Sequence, residues 1–134
     1  MIIANLNIRG ARGGTKAKYL KNIIFKEWVE VVCLQETQIT EFSNARCFAL
    51  WGNNEMGWIH NEGISGAGSM LVMWHKQAFI CERHVEGRGF IAIFGQHTST
   101  KLKCVVVNVY AACNMTDKVA LWEELTNMKN ANLI

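Results

Sequence analysis

The stretch Val31-Val32-Cys33-Leu34-Gln35-Glu36-Thr37 decides how this chain reads. Residues 31–35 form a short apolar run closed by an uncharged amide and bounded by polar residues, which is the pattern of a buried strand. The run gives way at once to Glu36 and Thr37. A carboxylate therefore stands where a buried strand turns into a loop, and from there it reaches past the sheet edge to whatever lies outside.

Upstream, residues 16–30 carry Tyr19, Leu20, Ile23, Ile24 and the Glu27/Trp28 pair at helical spacing, so the sequence predicts a helix with one stripe facing a core and its lysines facing water. Residues 1–8 read as a strand in which Ile3, Leu6 and Ile8 flank polar Asn5 and Asn7. Gly10, Gly13 and Gly14 then break it. The first unit is thus βαβ. Downstream, the pieces 49–51, 57–68 (glycine-rich), 69–74, 79–86, 90–96 and 102–110 are expected as strands joined by turns. Residues 96–101 separate two of them at hairpin distance, which favours an antiparallel meander. A last helix is expected through Lys129, capped by Thr116 or Asp117, with Val119, Leu121/Trp122, Leu125 and Met128 facing inward.

At 134 residues the chain is expected to form a single domain, burying roughly 68% of the surface its unfolded state exposes. Half of the residues are hydrophobic and 19% are charged, far from the makeup of a disordered chain. Net charge is only +3, yet Arg9, Arg12, Lys16, Lys18, Lys21 and Lys26 all precede the first acid, Glu27. A basic segment of this kind favours a polyanion through phosphate contacts, although a solvated helix face would carry the same lysines. Five cysteines without framework spacing and an N-terminus without a signal-peptide pattern predict a non-secreted protein with reduced thiols, in cytoplasm or nucleus. No apolar run approaches the ~18 residues of a membrane span.

Three residue groups carry the chemistry. Glu36 is a candidate ligand for a hard metal such as magnesium, which takes oxygen ligands and keeps several waters. Asn7, ending the neighbouring strand, is expected to add an amide oxygen directly or through water. Tyr110 ends the run Val105-Val106-Val107-Asn108-Val109-Tyr110, where its phenol is placed to donate to a phosphate oxygen, and Asn108 shares its face. Other patterns fail. The loop 63–68 lacks the lysine and the following helix of a P-loop, and Ala67 breaks the serine-hydrolase elbow. Cys81 and His84 fall on opposite faces of a strand, so they do not make half of a zinc site.

With these residues in view, the chain resembles the N-terminal part of the endonuclease/exonuclease/phosphatase superfamily, and most closely the endonuclease domain of plant LINE-type retrotransposons. The matching segments are Asn7-Ile8-Arg9-Gly10, Leu34-Gln35-Glu36-Thr37 and Asn108-Val109-Tyr110-Ala111, supported by residues 65–74 and by Leu121-Trp122-Glu123-Glu124-Leu125. The resemblance implies a four-layered α/β sandwich that hydrolyses a DNA phosphodiester with Mg²⁺, or Mn²⁺ in its place. It makes Glu36 the metal ligand, Asn7 a support for metal and phosphate, and Tyr110 a contact to the scissile phosphate. Arg9, Arg12 and Lys16 would contact nucleic acid.

The family pattern also requires a Gly-Asp-Phe-Asn motif and a Ser-Asp-His motif, which orient the attacking water and support the phosphate. Neither occurs here, and Asp117 is the only aspartate. Leu6 and Ala112 stand where the family has tryptophan and proline. Residues 1–134 are thus expected to be one incomplete domain, inactive alone, lacking the second half of the sandwich and exposing an apolar face. A non-catalytic nucleic-acid-binding module, a relic, and a piece of a longer reading frame are the alternatives.

Overall fold

The structure, a computed structural model, describes residues 1–11, 13–63, 68–111 and 114–131. Arg12, expected at nucleic acid, lies outside the described residues, as do residues 64–67 of the glycine-rich loop, Ala112 and Cys113.

The βαβ unit forms as expected. Strand β1 (Ile3–Asn7) pairs in parallel with β2 (Val31–Gln35), and helix α1 (Gly14–Glu27) crosses between them. β2 then pairs antiparallel with β4 (Met70–His75), which also pairs antiparallel with β3 (Met56–Asn61), giving a sheet of order β1-β2-β4-β3. A second sheet is an antiparallel meander of β5 (Phe79–Gly87), β6 (Phe90–His97) and β7 (Lys103–Val109). Val31, Cys33, Met70, Val72 and Trp74 project from the first sheet onto Phe79, Ile91, Ile93 and Val106 of the second. On the other side of the first sheet, Val32, Leu34, Leu71 and Met73 meet Leu20 and Ile24 of α1 and Cys47, Leu50 and Trp51 of α2 (Asn44–Trp51). The far face of the second sheet takes Leu121 and Met128 of α3 (Met115–Asn130) against Phe90, Ala92 and Phe94. Helix, sheet, sheet and helix stack as four layers, in accord with the mixed α/β sandwich read from the sequence.

Among the described residues both sheets and both helical layers are present, with an apolar core between sheets of only four and three strands. β1 and β7 are edge strands, and β1 turns Ile3, Asn5 and Asn7 to an exposed side, with Ile3 46% accessible.

Several element boundaries differ from the sequence reading. Residues 49–51 are not a strand but the last turn of α2, a helix with no β-branched residue, capped by Ser43, whose hydroxyl accepts from the Arg46 N–H at 3.1 Å. Cys47, Leu50 and Trp51 sit at i, i+3 and i+4 and are buried, a helical pattern too short to separate from a strand by periodicity. α1 stops at Glu27 because Trp28 takes a left-handed conformation (φ 55°) and returns its N–H to the Ile24 carbonyl. Tyr19 and Trp28, expected on the core stripe, are 63% and 82% exposed. α3 is capped by Asn114, not by Thr116 or Asp117, and Val119 and Trp122 face outward. Its inward line is Leu121, Leu125 and Met128, because a three-stranded sheet offers only a narrow seam. The four described cysteines are free, and burial pushes the Cys33 and Cys47 thiols up to about 12.

Candidate active site at the C-terminal end of strand 2

β2 delivers its C-terminal end between β1 and β4, and the backbone there is tightly tied. The Ile8 N–H donates to the Gln35 carbonyl (3.0 Å), Gly10 to Glu36 (2.6 Å) and Ala11 to Thr37 (2.7 Å), so the chain after β1 runs alongside the chain after β2. On the other flank, the Thr37 hydroxyl donates to Ser69 Oγ at 2.8 Å and Ser69 Oγ also accepts from the Gln38 N–H. Thr37 and Ser69 are fully buried.

This end concentrates unusual backbone geometry. Arg9 (φ 48°), Glu36 (φ 53°) and Gln38 (φ 56°) are three of the five described non-glycine residues with positive φ. Each costs free energy relative to an extended or helical residue, and such conformations persist where surrounding bonds over-determine them. Gly10 (φ 99°) completes the turn, and a Cβ there would lie 2.8 Å from Gln38 Oε1. The result is that Glu36 leaves the strand at a sharp angle, half-buried, with its side chain directed across the inter-sheet seam.

There Tyr110 Oη donates a hydrogen bond to Glu36 Oε1. Residues 74 apart in sequence are brought together by the end of β7 passing over the end of β2. One layer deeper lies an amide network. Gln35 Nε2 donates to Asn5 Oδ1 (2.6 Å) and Asn108 Oδ1 (2.7 Å), and Asn108 Nδ2 donates to the Leu34 and Leu71 carbonyls, both at 3.1 Å. Asn108 is 2% exposed, so it acts as a polar clasp between the sheets beneath Glu36 and Tyr110. Asn7 lies opposite Gln35 in the β1/β2 register, on the same face as Asn5, with its side chain open to solvent.

Of the residues singled out in sequence, Glu36, Tyr110 and Asn108 meet at one place, and Asn7 stands at its open rim. Arg9 and Lys16 border a cleft of about 360 Å³ with Gly10 and Gln38. Lys16, expected at a phosphate, donates to the carbonyls of Ile8 and Arg9 at 2.8 Å each, so its ammonium braces the loop after β1. Sequence reasoning missed Gln35 and Asn5. The available signal was an amide inside an otherwise apolar buried strand, since such a group needs a partner.

The donors exposed at this end are oxygens: one carboxylate, amide oxygens and a phenol. That set fits magnesium, which is held by one or two carboxylates and keeps most of its water. Among the described residues no group of three His, Cys, Asp or Glu side chains converges on one point, so the thiolate and imidazole cage of a structural zinc site is not built here. Asp117, the lone aspartate, accepts from its own helix cap at Asn114 and lies 3.5 Å from Arg88.

No protein-family model matches the chain, and no curated protein matches it in sequence. Solved structures do match. The AP endonuclease LMAP from Leishmania major superposes with a TM-score of 0.63 at 19% identity, over 82% of this chain and 40% of that one. An endonuclease/exonuclease/phosphatase family protein from Bacteroides thetaiotaomicron gives 0.65 at 12% identity, over 97% and 58%. The human Nocturnin catalytic domain with bound sulfate gives 0.65 at 13%, over 98% and 60%. The chain has the endonuclease/exonuclease/phosphatase fold. It spans between 40% and 60% of the length of these three structures. Within the endonuclease/exonuclease/phosphatase fold the described residues supply two stacked sheets and a helical layer on each side. No helix among them is long and apolar enough to cross a membrane.

Proposed function

We propose that the chain is the N-terminal portion of a magnesium-dependent phosphodiesterase acting on DNA, of the kind found in LINE-type retrotransposons, and that residues 1–134 alone do not turn over. The contact between Tyr110 and Glu36 carries this reading: a strand-end carboxylate is held by a phenol over a buried amide clasp, at a strained and partly open sheet edge. Glu36 would hold the metal, with Asn7 contributing an amide oxygen at the rim. When bound, the ion supplies Lewis-acid polarisation of the phosphate and stabilises the leaving oxygen; manganese would serve in its place.

The chain's own groups do the positioning. Tyr110 fixes the rotamer of Glu36 by donating its single O–H to it, and would contact a phosphate oxygen only by turning that O–H away from the carboxylate, while Arg9 carries a guanidinium suited to bidentate phosphate contact. The lone aspartate, Asp117, is not free to orient an attacking water, because it is engaged at the start of α3. General-base catalysis is worth about 10²–10⁴-fold, and the lack of the two aspartate motifs that the resemblance requires is the reason for expecting no turnover.

Two measurements test this. Calorimetry should show Mg²⁺ binding to the wild-type chain that is lost in Glu36→Ala; equal binding in both would remove Glu36 from the metal site. Supercoiled plasmid should stay intact with folded protein and Mg²⁺. Nicking that vanishes with EDTA and in Glu36→Ala would mean that the site suffices without a further carboxylate.

A second reading, a module that grips nucleic acid without cutting it, is favoured by the lysines of α1, of which Lys18 and Lys21 are exposed. Salt-sensitive DNA binding that survives Glu36→Ala and falls on neutralising Lys18 and Lys21 would select it.

A further inference from the structure

A groove of about 1050 Å³ lies at the opposite end of the first sheet from Glu36, just above the roughly 300–1,000 Å³ of typical ligand clefts. Its walls are the C-terminal ends of α1 and α2 and the turns at the start of β2 and after β6. Two aromatic rings dominate it: Phe25 is 85% exposed and Trp28 is 82% exposed, whereas the third, Trp51, is buried beneath. Trp28 is held there at a cost. It occupies the left-handed region (φ 55°), disfavoured for a bulky side chain, and is locked by the Trp28 and Val29 N–H groups, which both donate to the Ile24 carbonyl. Strain and exposure together present an indole face to solvent.

Lys21 and Lys26 line the groove and make no ion pair among the described residues, while Glu30, the acid at its floor, is engaged by His97 Nε2 at 2.9 Å and by the Ile2 N–H. Lys18, Lys21 and Phe25 fall three or four residues apart, so cation and ring share one side of α1, about one helical turn (~5.4 Å) between neighbours, and Trp28 follows just beyond the helix end. Thr98 Oγ1, also in the lining, is buried with no hydrogen-bond partner.

We infer that this groove binds single-stranded nucleic acid, with bases stacked on Trp28 and Phe25 and the backbone phosphates tracked by Lys21 and Lys26. Aromatic faces beside lysines are how sequence-tolerant single-strand sites are built. An apolar protein segment would use the rings but leave the two lysines without a role. The inference rests on the nucleic-acid reading above only for the ligand class. It places a contact one strand length away from Glu36, at the C-terminal end of α1.

The test is fluorescence anisotropy of a labelled oligothymidylate against the whole chain in EDTA, so that metal at Glu36 plays no part, with an abasic oligonucleotide of equal length in parallel. Trp28→Ala and Phe25→Ala, both at exposed positions and checked for wild-type circular dichroism, should each weaken oligothymidylate binding about tenfold and leave the abasic strand unaffected. Lys26→Gln should weaken both ligands. Equal oligothymidylate affinity in wild type and both ring variants overturns the groove site. If duplex DNA still binds in a salt-sensitive way, the nucleic-acid reading survives that failure; if no nucleic acid binds, it falls too. Loss of self-association on Trp28→Ala with unchanged oligothymidylate binding would make the groove a protein interface and overturn the proposal.

Discussion

Asn108 shows how a single side chain joins two halves of the molecule. Its amide satisfies the Leu34 and Leu71 carbonyls on adjacent strands and accepts from Gln35, all in a nearly dry environment. Removing it takes a hydrogen bond from each of the two buried carbonyls and from the Gln35 amide, and a lost buried hydrogen bond costs about 1–3 kcal/mol where no other partner replaces it. Asn108→Ala should therefore lower stability by about 3 kcal/mol, read as an earlier urea midpoint with unchanged slope. A variant within about 0.5 kcal/mol of wild type would show that water replaces the clasp. Asn108→Asp should be at least as damaging, since a carboxylate would face two carbonyl oxygens. The proximity of Asn108 to Tyr110 on one face was legible from period-2 alternation. Its partners were not, because Leu34, Gln35 and Leu71 reach it only through stacking of separate sheets.

At the scale of elements, α2 is the instructive case. Its eight residues form a helix where the sequence suggested a strand over 49–51, and the deciding group is Ser43, in an extended conformation (φ −134°) with its hydroxyl on the Arg46 N–H. Short helices depend on such a cap and on tertiary packing more than on propensity. Ser43→Ala should cost about 1 kcal/mol, while Ser43→Asp should retain most of the stability by accepting the same bond. Thermal melting of the two variants checks this, and equal melting of both with wild type would mean that packing of Cys47, Leu50 and Trp51 alone sets the helix. A related correction applies to α1 and α3, where Tyr19, Trp28, Val119 and Trp122 matched a helical stripe yet stay exposed. Periodicity gives the direction of a face; the width of what covers it decides which flanking residues are buried.

At the scale of the whole molecule, the two sheets are stitched by polar contacts at both ends of an apolar seam. The Glu36 end has the Asn5–Gln35–Asn108 amides, and the opposite end has Glu30, at the threshold of β2, against His97, the last residue of β6. Burial pushes the Glu30 carboxyl up, but hydrogen bonds from His97 and the Ile2 N–H, with the charges of His97 and the N-terminus, outweigh it and hold Glu30 below the ordinary carboxylate value. A folded-state value below the unfolded one adds stability that is present above the ordinary value and lost as pH falls through the folded one. Wild type should therefore lose melting temperature between about pH 5 and pH 3, and Glu30→Gln should lose less over that window. Parallel curves for the two proteins would show that the pair contributes nothing to folding. The effect is modest because water reaches the pair from the groove side.

The sequence by itself determined the βαβ opening, the antiparallel meander, the buried strand from Val31 to Gln35 and the position of Glu36 at its end. These follow from local periodicity and from where polar residues interrupt apolar runs, information that neighbours along the chain carry. Only the tertiary structure decided that two sheets close over a common core, that Tyr110 reaches Glu36, that Gln35 bridges Asn5 and Asn108, and that Lys16 braces a loop. Each of these depends on how sheets stack and how loops fold back at their ends. Stacking is set by the summed burial of residues far apart in sequence, so no local pattern announces it.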